Sequence, residues 1–325
     1  FGLKSNILTG IDYYDVSYNS NRSRYLSDPA IHAYNAGQQS LAAYWQHTVG
    51  ILPTTDVSYG GRIENTRTQA TDKLNPLAPN YFGDLQANPL DQNQTNHALH
   101  VGIEHRFNDT FAVFGRAARA FRLPNVDERI GASPFGAVGT FDIKTQTSYD
   151  VEGGVRIHHG PLDIQASYYD MHLKNELHFD PVAFLDYNLD PTHRYGVETS
   201  ASLRINDSLR LKGGFAYTRA VFEEGPFRGN DVPLVSRLSG SAGVSWNVWQ
   251  KYLVLDATVR AWSARRMDND QANFQPLIPA NATLDLKISG EVDRFFWSFA
   301  VNNVFNVSYY DYSVASASTY GVYNA

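Results

Sequence analysis

Residues 98–119, ALHVGIEHRFNDTFAVFGRAAR, contain two strand-like segments joined by a strong turn signal. In the first segment, Leu99, Val101 and Ile103 alternate with the polar residues His100 and Glu104. This period of two indicates a strand with one apolar and one polar face. The Asn-Asp pair at 108–109 favours a turn, and 111–119 fits a returning strand. The stretch therefore predicts a β-hairpin.

The same unit recurs along the chain. A first strand around Leu3 to Tyr18 is followed by a predicted pair, Leu41 to Gly50 with Asp56 to Thr68, and in total we expect about thirteen strands. The later predicted pairs are 147–157 with 162–168, 195–205 with 209–217, 238–246 with 253–261, and 282–288 with 297–301. Short turns alternate with long connections, which are expected at 19–38, 70–95, 122–144, 175–193, 223–233 and 263–279, with a tail from 306.

The composition agrees with β structure and excludes several classes of protein. The 325 residues include 20 Tyr and 18 Phe, and only 18% are charged, which favours strands over helices. The net charge of -6 comes from mixed signs without a basic block, so nucleic acid is not an expected partner. The absence of Cys excludes disulfides and thiolate metal sites. No apolar run reaches the roughly 18 to 20 residues of a spanning helix.

The length of the strands separates two all-β alternatives. Soluble sandwiches have strands of about five or six residues, whereas these extend over roughly ten to fourteen, and long loops alternating with short turns are typical of outer-membrane barrels. Aromatic residues near strand ends fit an interfacial girdle: Trp246, Trp249, Tyr252, Phe295, Phe296 and Trp297. The predicted fold is a transmembrane antiparallel β-barrel. Because such barrels have even strand numbers and no open edge, we expect Phe1 to lie within the barrel and a closing strand to follow Ala325.

Three motifs carry a resemblance to a known family. Residues 121–125 contain Phe121, Arg122, Pro124 and Asn125 in the sequence FRLPN, which resembles the Phe-Arg-x-Pro box of TonB-dependent outer-membrane receptors. The segment QTSYDVEGGVRI, with Glu152, resembles the strand that follows the box in that family. The segment FAVNNVFNVSYYDY is similar to the family's penultimate strand, and its matching residues are Asn302, Asn303, Phe305 and Asn306.

The resemblance implies both an architecture and a function. It implies a barrel of 22 strands enclosing a plug domain, with residues 1–325 supplying about thirteen strands of that single barrel domain and no plug. It further implies a receptor in the outer membrane of a Gram-negative bacterium that binds a scarce metal chelate at its extracellular loops and imports it. The implied partners are the TonB complex, acting through the plug, the chelate, and outer-membrane lipid and lipopolysaccharide. No cofactor is implied.

The chemistry of the box residues also predicts the local structure at this point of the chain. Pro124 fixes its own φ angle and disfavours the α conformation at Leu123, so the strand is expected to leave the sheet there. Arg122 then supplies a rigid fork of donors at the base of the loop. Anchoring of the loop and plug is the favoured role of Arg122, ahead of contact with substrate.

The scarcity of His and Met at the relevant positions disfavours two classes of ligand. Haem is disfavoured because no His lies between Phe107 and Ile157, and copper because only Met171 and Met267 could supply soft ligands. Cationic and aromatic loop residues suit a large anionic or aromatic chelate, either a ferric siderophore or a corrinoid. The candidates are Arg129, Tyr187, Arg194, Arg228, Arg265, Phe274, Tyr309 and Tyr310. Asp268 and Asp270 are weak candidates for a hard cation, and an ordinary polar loop is favoured.

Two other classes of function stay open at this level. A passive porin would have a constricting loop and no plug. A barrel enzyme would need a nucleophile beside a general base, and no such constellation is evident in the sequence, so the prediction is that the protein is not an enzyme.

Overall fold

The computed structural model describes residues 4–130 and 141–315 and the backbone of 322–324. One antiparallel sheet of thirteen strands dominates it, and each strand pairs with the next long strand along the chain. The all-β prediction and the count of thirteen strands are therefore confirmed. The expected start of the first strand at Leu3 lies outside the described residues. No helix in the described part of the chain is both long and apolar enough to cross a membrane.

The strands of the sheet follow one another in a simple meander, and the long connections, as far as the structure describes them, contain one short helix and two short strand pairs. The main strands are β1 (Ser5–Arg22), β2 (His32–Leu52), β3 (Thr55–Leu74), β4 (Leu90–Arg106), β5 (Phe111–Arg122), β6 (Gln146–His159), β7 (Leu162–Lys174), β10 (Thr192–Arg204), β11 (Leu209–Phe222), β12 (Leu238–Trp249), β13 (Leu253–Trp262), β14 (Asn281–Val292) and β15 (Phe295–Val301). The long connections contain the helix α1 (Val126–Ile130), the hairpin β8 (Leu177–Asp180) with β9 (Leu185–Asn188), and the short pair β16 (Ser313–Ala315) with β17 (Val322–Asn324).

One face of the sheet is apolar from strand to strand. Val101 in β4 lies opposite Ala117 in β5, which in turn lies opposite Val151 in β6. Because side chains alternate between faces along a strand, this register aligns the apolar sets of neighbouring strands. Val101 and Val151 are each about half exposed, and the apolar side chains therefore form a continuous exposed band.

The other face of the sheet is polar and carries cross-strand ion pairs. Arg62 Nη1 lies 2.6 Å from Asp12 Oδ2, and Arg116 Nη1 lies 2.9 Å from Asp150 Oδ2. An apolar outer band over a polar interior is the arrangement of a membrane barrel.

Two predicted loops are shorter than expected because their flanking strands continue. The predicted loops 19–38 and 70–95 contract to 23–31 and 75–89. Most of the extra strand residues are polar, and three of the apolar ones among them, Tyr34, Ala36 and Ala70, are buried in a cluster with Phe141. The regular alternation therefore ends while the backbone ladder continues. Side chains support this extension: Asn65 Nδ2 donates to Asn93 Oδ1 at 2.9 Å, and Arg67 pairs with Asp91 at 2.9 Å.

Candidate ligand-binding loops

The connection 263–280, here called the central loop, bonds to three other long loops. Its first partner is the hairpin β8–β9. Asn269 Nδ2 donates to Asp180 Oδ1 at 2.9 Å, and Gln271 Nε2 donates to the phenol oxygen of Tyr187 at 2.7 Å. These side-chain bonds attach the tip and the side of the hairpin to the central loop.

The second partner is the segment after β15. The phenol of Tyr312 donates to Asp268 Oδ2, and Arg265 Nη2 donates to the carbonyl oxygen of Asp311 at 2.7 Å. The backbone amide of Asp268 also donates to the Ser313 carbonyl at 2.8 Å, and the Ala315 amide donates back to the Asp268 carbonyl at 2.8 Å. Both side chain and backbone of Asp268 therefore fix this segment.

The third partner is the connection between β11 and β12. Asn230 Nδ2 donates to the Gln271 carbonyl at 2.8 Å, and the Asp231 amide donates to Asn273 Oδ1 at 2.7 Å. Four loops consequently form one hydrogen-bonded unit at the long-loop end of the sheet. The inter-loop bonds of Asn269, Gln271 and Asn273 could not be predicted from the sequence, since polar loop residues carry no periodicity that would show which distant loop they bond.

Asp268 is the charged centre of this unit. It is buried, and His178 Nε2 lies 3.2 Å from its Oδ1. Burial alone would raise the pKa of Asp268, but the His178 contact and the hydrogen bond from Tyr312 outweigh it and leave the pKa below its ordinary value. The ionised carboxylate is thus the form that the loops stabilise.

Asp270 is also buried and caps the turn that follows it. Its Oδ1 accepts the Phe274 amide at 3.1 Å, and Arg266 Nη1 lies 3.8 Å from its Oδ2. Burial raises the pKa of Asp270, and the backbone amides only partly oppose that effect. Asp268 and Asp270, the two weak candidates for a hard cation, therefore both have structural partners within the loop.

The cationic candidates differ in their availability to a ligand. Arg194 forms an ion pair with Glu176, and Arg265 is bonded to backbone carbonyls. Arg228 is exposed, and within the described part of the chain its side chain has no hydrogen-bonded or charged partner. Arg228 is therefore the cationic candidate with a free guanidinium.

The aromatic candidates lie on or beside the four-loop unit. Phe274 is 67% exposed, and Tyr309 and Tyr310 are 37% and 43% exposed, so their ring faces are accessible. Tyr187 is less accessible because its phenol is bonded to Gln271. Three of the four predicted aromatic candidates therefore have accessible rings on segments of these loops.

The structure places Arg129, another of the predicted ligand candidates, in the interior of its loop. The residue is 2% exposed, and its Nη1 donates to the carbonyls of Phe141 at 2.8 Å and Ile143 at 3.1 Å. Burial lowers the pKa of its guanidinium. The physical reason is that helix α1 turns this position toward Phe141 and the adjoining apolar cluster.

The box residues build a helix start at the end of β5. Asn125 Oδ1 accepts the Glu128 amide at 2.8 Å, and Glu128 Oε2 accepts the Asn125 amide at 2.9 Å, which is a reciprocal capping box. Glu128 also forms an ion pair with Arg122, and Pro124 is buried. The Asn-x-x-Glu spacing was the sequence signal that could have predicted α1.

The third motif forms the turn after β15. Asn303 Oδ1 accepts the Val307 amide at 2.9 Å, its Nδ2 donates to the Val307 carbonyl at 3.0 Å, and its φ is 50°. Asn306 closes the turn with a backbone bond to Asn303 at 2.8 Å. Asn302 and Phe305 are exposed, whereas Glu152 lies in β6 opposite Arg116. The Asn residues are suited to this turn because they tolerate positive φ.

Comparison with known proteins decides the family. The model of the family "TonB dependent receptor-like, beta-barrel" matches residues 1–307. The chain belongs to the TonB-dependent receptor family. No curated protein sequence matches it.

Solved TonB-dependent receptors share the fold of this chain at low sequence identity. The ferric yersiniabactin uptake receptor FyuA from Yersinia pestis superposes with a TM-score of 0.75 at 19% identity, covering 98% of this chain and 49% of that protein. The copper transporter OprC gives 0.75 at 16% identity, covering 94% and 49%. The ferric-catecholate import receptor Fiu from E. coli K12 gives 0.73 at 15%, covering 99% and 50%.

The chain thus spans about half the length of the solved receptors that it matches. TonB-dependent receptors are outer-membrane β-barrels of Gram-negative bacteria, and the matched neighbours are receptors and transporters rather than enzymes. In outer-membrane barrels an apolar outer face contacts lipid and a polar inner face lines the lumen.

Proposed function

We propose that this chain is the greater part of the barrel of an outer-membrane receptor that captures a metal chelate at its extracellular loops. Residues 1–325 would then form part of one barrel domain, the apolar band would contact outer-membrane lipid and lipopolysaccharide, and a plug domain would fill the lumen. Import would use energy delivered by the TonB complex through the plug. The membership of the family supports TonB-dependent transport in general.

The observation that carries the ligand-binding part is the four-loop unit. Its bonds connect the segments that carry exposed aromatic rings, because Arg265 joins the Tyr310 segment to the central loop that also bears Phe274. A preorganised surface loses less conformational entropy when a ligand binds than a set of independent loops would. High affinity for a scarce ligand benefits from such preorganisation.

The chemistry of the exposed side chains favours an anionic or aromatic chelate. Arg228 offers an exposed guanidinium fork, which suits carboxylate or phenolate oxygens. Phe274 and Tyr310 offer ring faces for stacking. Ferric siderophores and corrinoids both present such groups, and several neighbours are named for ferric chelates. Copper is less suitable here because Met267 is buried.

A binding titration on the full-length receptor tests this proposal. Equilibrium binding would be measured for a panel of iron-loaded catecholate, hydroxamate and phenolate siderophores, for ferric citrate, and for cobalamin. We expect one of these ligands to bind with high affinity and Arg228→Ala or Phe274→Ala to weaken it by about tenfold or more. Arg210→Ala, at a short turn on the opposite end of the sheet, is the matched control. Unchanged affinity in both loop variants would contradict capture by these loops.

A passive porin is the alternative function. Single-channel conductance of the full-length protein separates the two: a plugged receptor stays closed, whereas a porin conducts continuously.

A further inference from the structure

Two histidines and two carboxylates form a cluster on the lipid-facing side of the sheet, near its long-loop edge. Asp170 and His172 lie two positions apart on β7, so they share one face. His193 on β10 is the direct cross-strand partner of His172, and Glu223 follows the end of β11. The register places these residues on the same face as the apolar band, away from the lumen and the proposed ligand.

The ring nitrogens of the cluster converge on one carboxylate. His193 Nε2 lies 3.0 Å from Asp170 Oδ2, and His172 Nε2 lies 3.3 Å from Asp170 Oδ1. The two imidazoles stack in parallel, with centroids 4.3 Å apart and planes 5° from parallel. One ligand atom each from Asp170, His172 and His193 lies within 4.8 Å of the other two.

Glu223 fixes the orientation of one imidazole. Its Oε1 lies 3.0 Å from His172 Nδ1, so Nδ1 carries the proton in this contact because a carboxylate can only accept. In neutral His172 the lone pair on Nε2 then faces the Asp170 carboxylate, an unfavourable contact unless a positive group lies between them. A carboxylate that orients a histidine through its second nitrogen is the usual outer shell of a metal-bound histidine.

We propose that Asp170, His172 and His193 bind one divalent transition-metal ion, with Zn²⁺ as the preferred ion and Glu223 as the orienting residue. In a tetrahedral zinc site the bonds of roughly 2.0–2.2 Å hold the ligand atoms about 3.3 Å apart. The observed separations of 3.0 and 3.3 Å are close to this value. Three protein ligands leave the fourth position to water.

The surroundings of the cluster make it accessible to aqueous ions. The side chains of Asp170, His172 and His193 are 27%, 45% and 24% exposed. Tyr168 and Tyr195 flank the cluster on the same face, where tyrosines typically mark the boundary between lipid and water. The two carboxylates give the cluster a net charge of -2 when both imidazoles are neutral, which attracts a cation.

The experiment is a metal titration of the full-length receptor, purified in detergent and freed of metal by a chelator. Equilibrium dialysis with Zn²⁺ should show one saturable site per chain, and Co²⁺ should give the visible absorption of a tetrahedral site. His172→Gln and His193→Gln should each weaken binding at least tenfold and abolish the Co²⁺ absorption. Glu223→Gln should weaken binding by about 10- to 100-fold while the Co²⁺ absorption survives at saturation.

The control is His158→Gln, a histidine that also lies beside a carboxylate, Asp163, but on a short turn without a third ligand. It should leave Zn²⁺ affinity unchanged. Absence of saturable binding to the wild-type chain, or equal binding by the His172→Gln/His193→Gln double variant, would overturn the proposal. Heat-modified electrophoretic mobility shows whether each variant is a folded barrel, and the outcome is independent of chelate binding by the loops.

Discussion

Asp268 and Tyr312, which lie 44 residues apart in the chain, meet through a hydrogen bond from the phenol to the buried carboxylate. This contact joins the central loop to the segment after β15, and neighbouring bonds join the central loop to two further connections. Asp268 therefore lies among the hydrogen bonds that join the four loops.

Asp268→Ala should loosen three loops at once. The substitution leaves Tyr312 and His178 without their acceptor, and an unpaired buried polar group costs about 1–3 kcal/mol. Hydrogen exchange measured by mass spectrometry should show lower protection in 177–188, 263–280 and 303–315 together. Asp207→Ala, in an exposed turn at the other end of the sheet, should leave all three segments unchanged. Loss of protection in the central loop alone would contradict the interlocked arrangement.

The hairpin β8–β9 should pack more tightly in mild acid. Burial raises the pKa of Asp186 to about 6, with Glu128 and Asp127 adding to the effect. Because the folded pKa exceeds the ordinary value, the charged form opposes packing, and its cost appears as pH rises through about 6. Exchange protection of 177–188, corrected for intrinsic rates, should fall between pH 5 and pH 7.5.

Asp186→Asn supplies the control for this pH dependence. The amide cannot ionise, so the variant should retain the same protection at both pH values. A wild-type protection that does not change with pH, or an equal change in the Asn variant, would assign the effect to another group.

Adjacent alanines should differ sharply in their tolerance of charge. Ala117 lies in the apolar band opposite Val101 and Val151, whereas Ala118 lies on the polar face opposite Asp150. Ala117→Arg should cost up to about 2–4 kcal/mol of unfolding free energy in lipid vesicles, because the guanidinium must enter the hydrocarbon region. Ala118→Arg should cost less. Equal costs at both positions would show that the faces are assigned wrongly.

The capping box should stabilise the loop after β5 by a modest amount. Asn125→Ala removes the acceptor for the Glu128 amide and should cost about 1 kcal/mol. A double-mutant cycle of Arg122→Ala and Glu128→Gln should give a coupling of about 0.2–1 kcal/mol, because Arg122 is half exposed. Unfolding by denaturant in vesicles measures both. A coupling near zero would show that Arg122 acts elsewhere.

The strands could be predicted from the sequence because alternation along residues such as Leu99 to Ile103 reflects a physical requirement of a two-faced sheet. The extension of β1–β4 could not, since Asp91 and Asn93 are polar like loop residues and are held in the ladder by Arg67 and Asn65, which lie 24 and 28 residues earlier in the chain. The burial of Arg129 could not be predicted for a related reason. The helix that begins at the Asn125 cap turns this charged residue toward an apolar cluster, and the sequence pattern does not show that contact.

The most direct test of the proposed function is uptake by cells that express the full-length receptor. Accumulation of the radiolabelled chelate identified by titration would be compared in hosts with and without a working TonB complex, and for wild type and Asp268→Ala. We expect uptake to be lost without TonB and to fall at least tenfold in the variant at limiting ligand. Uptake that persists without TonB would contradict energised import and would identify the protein as a passive pore.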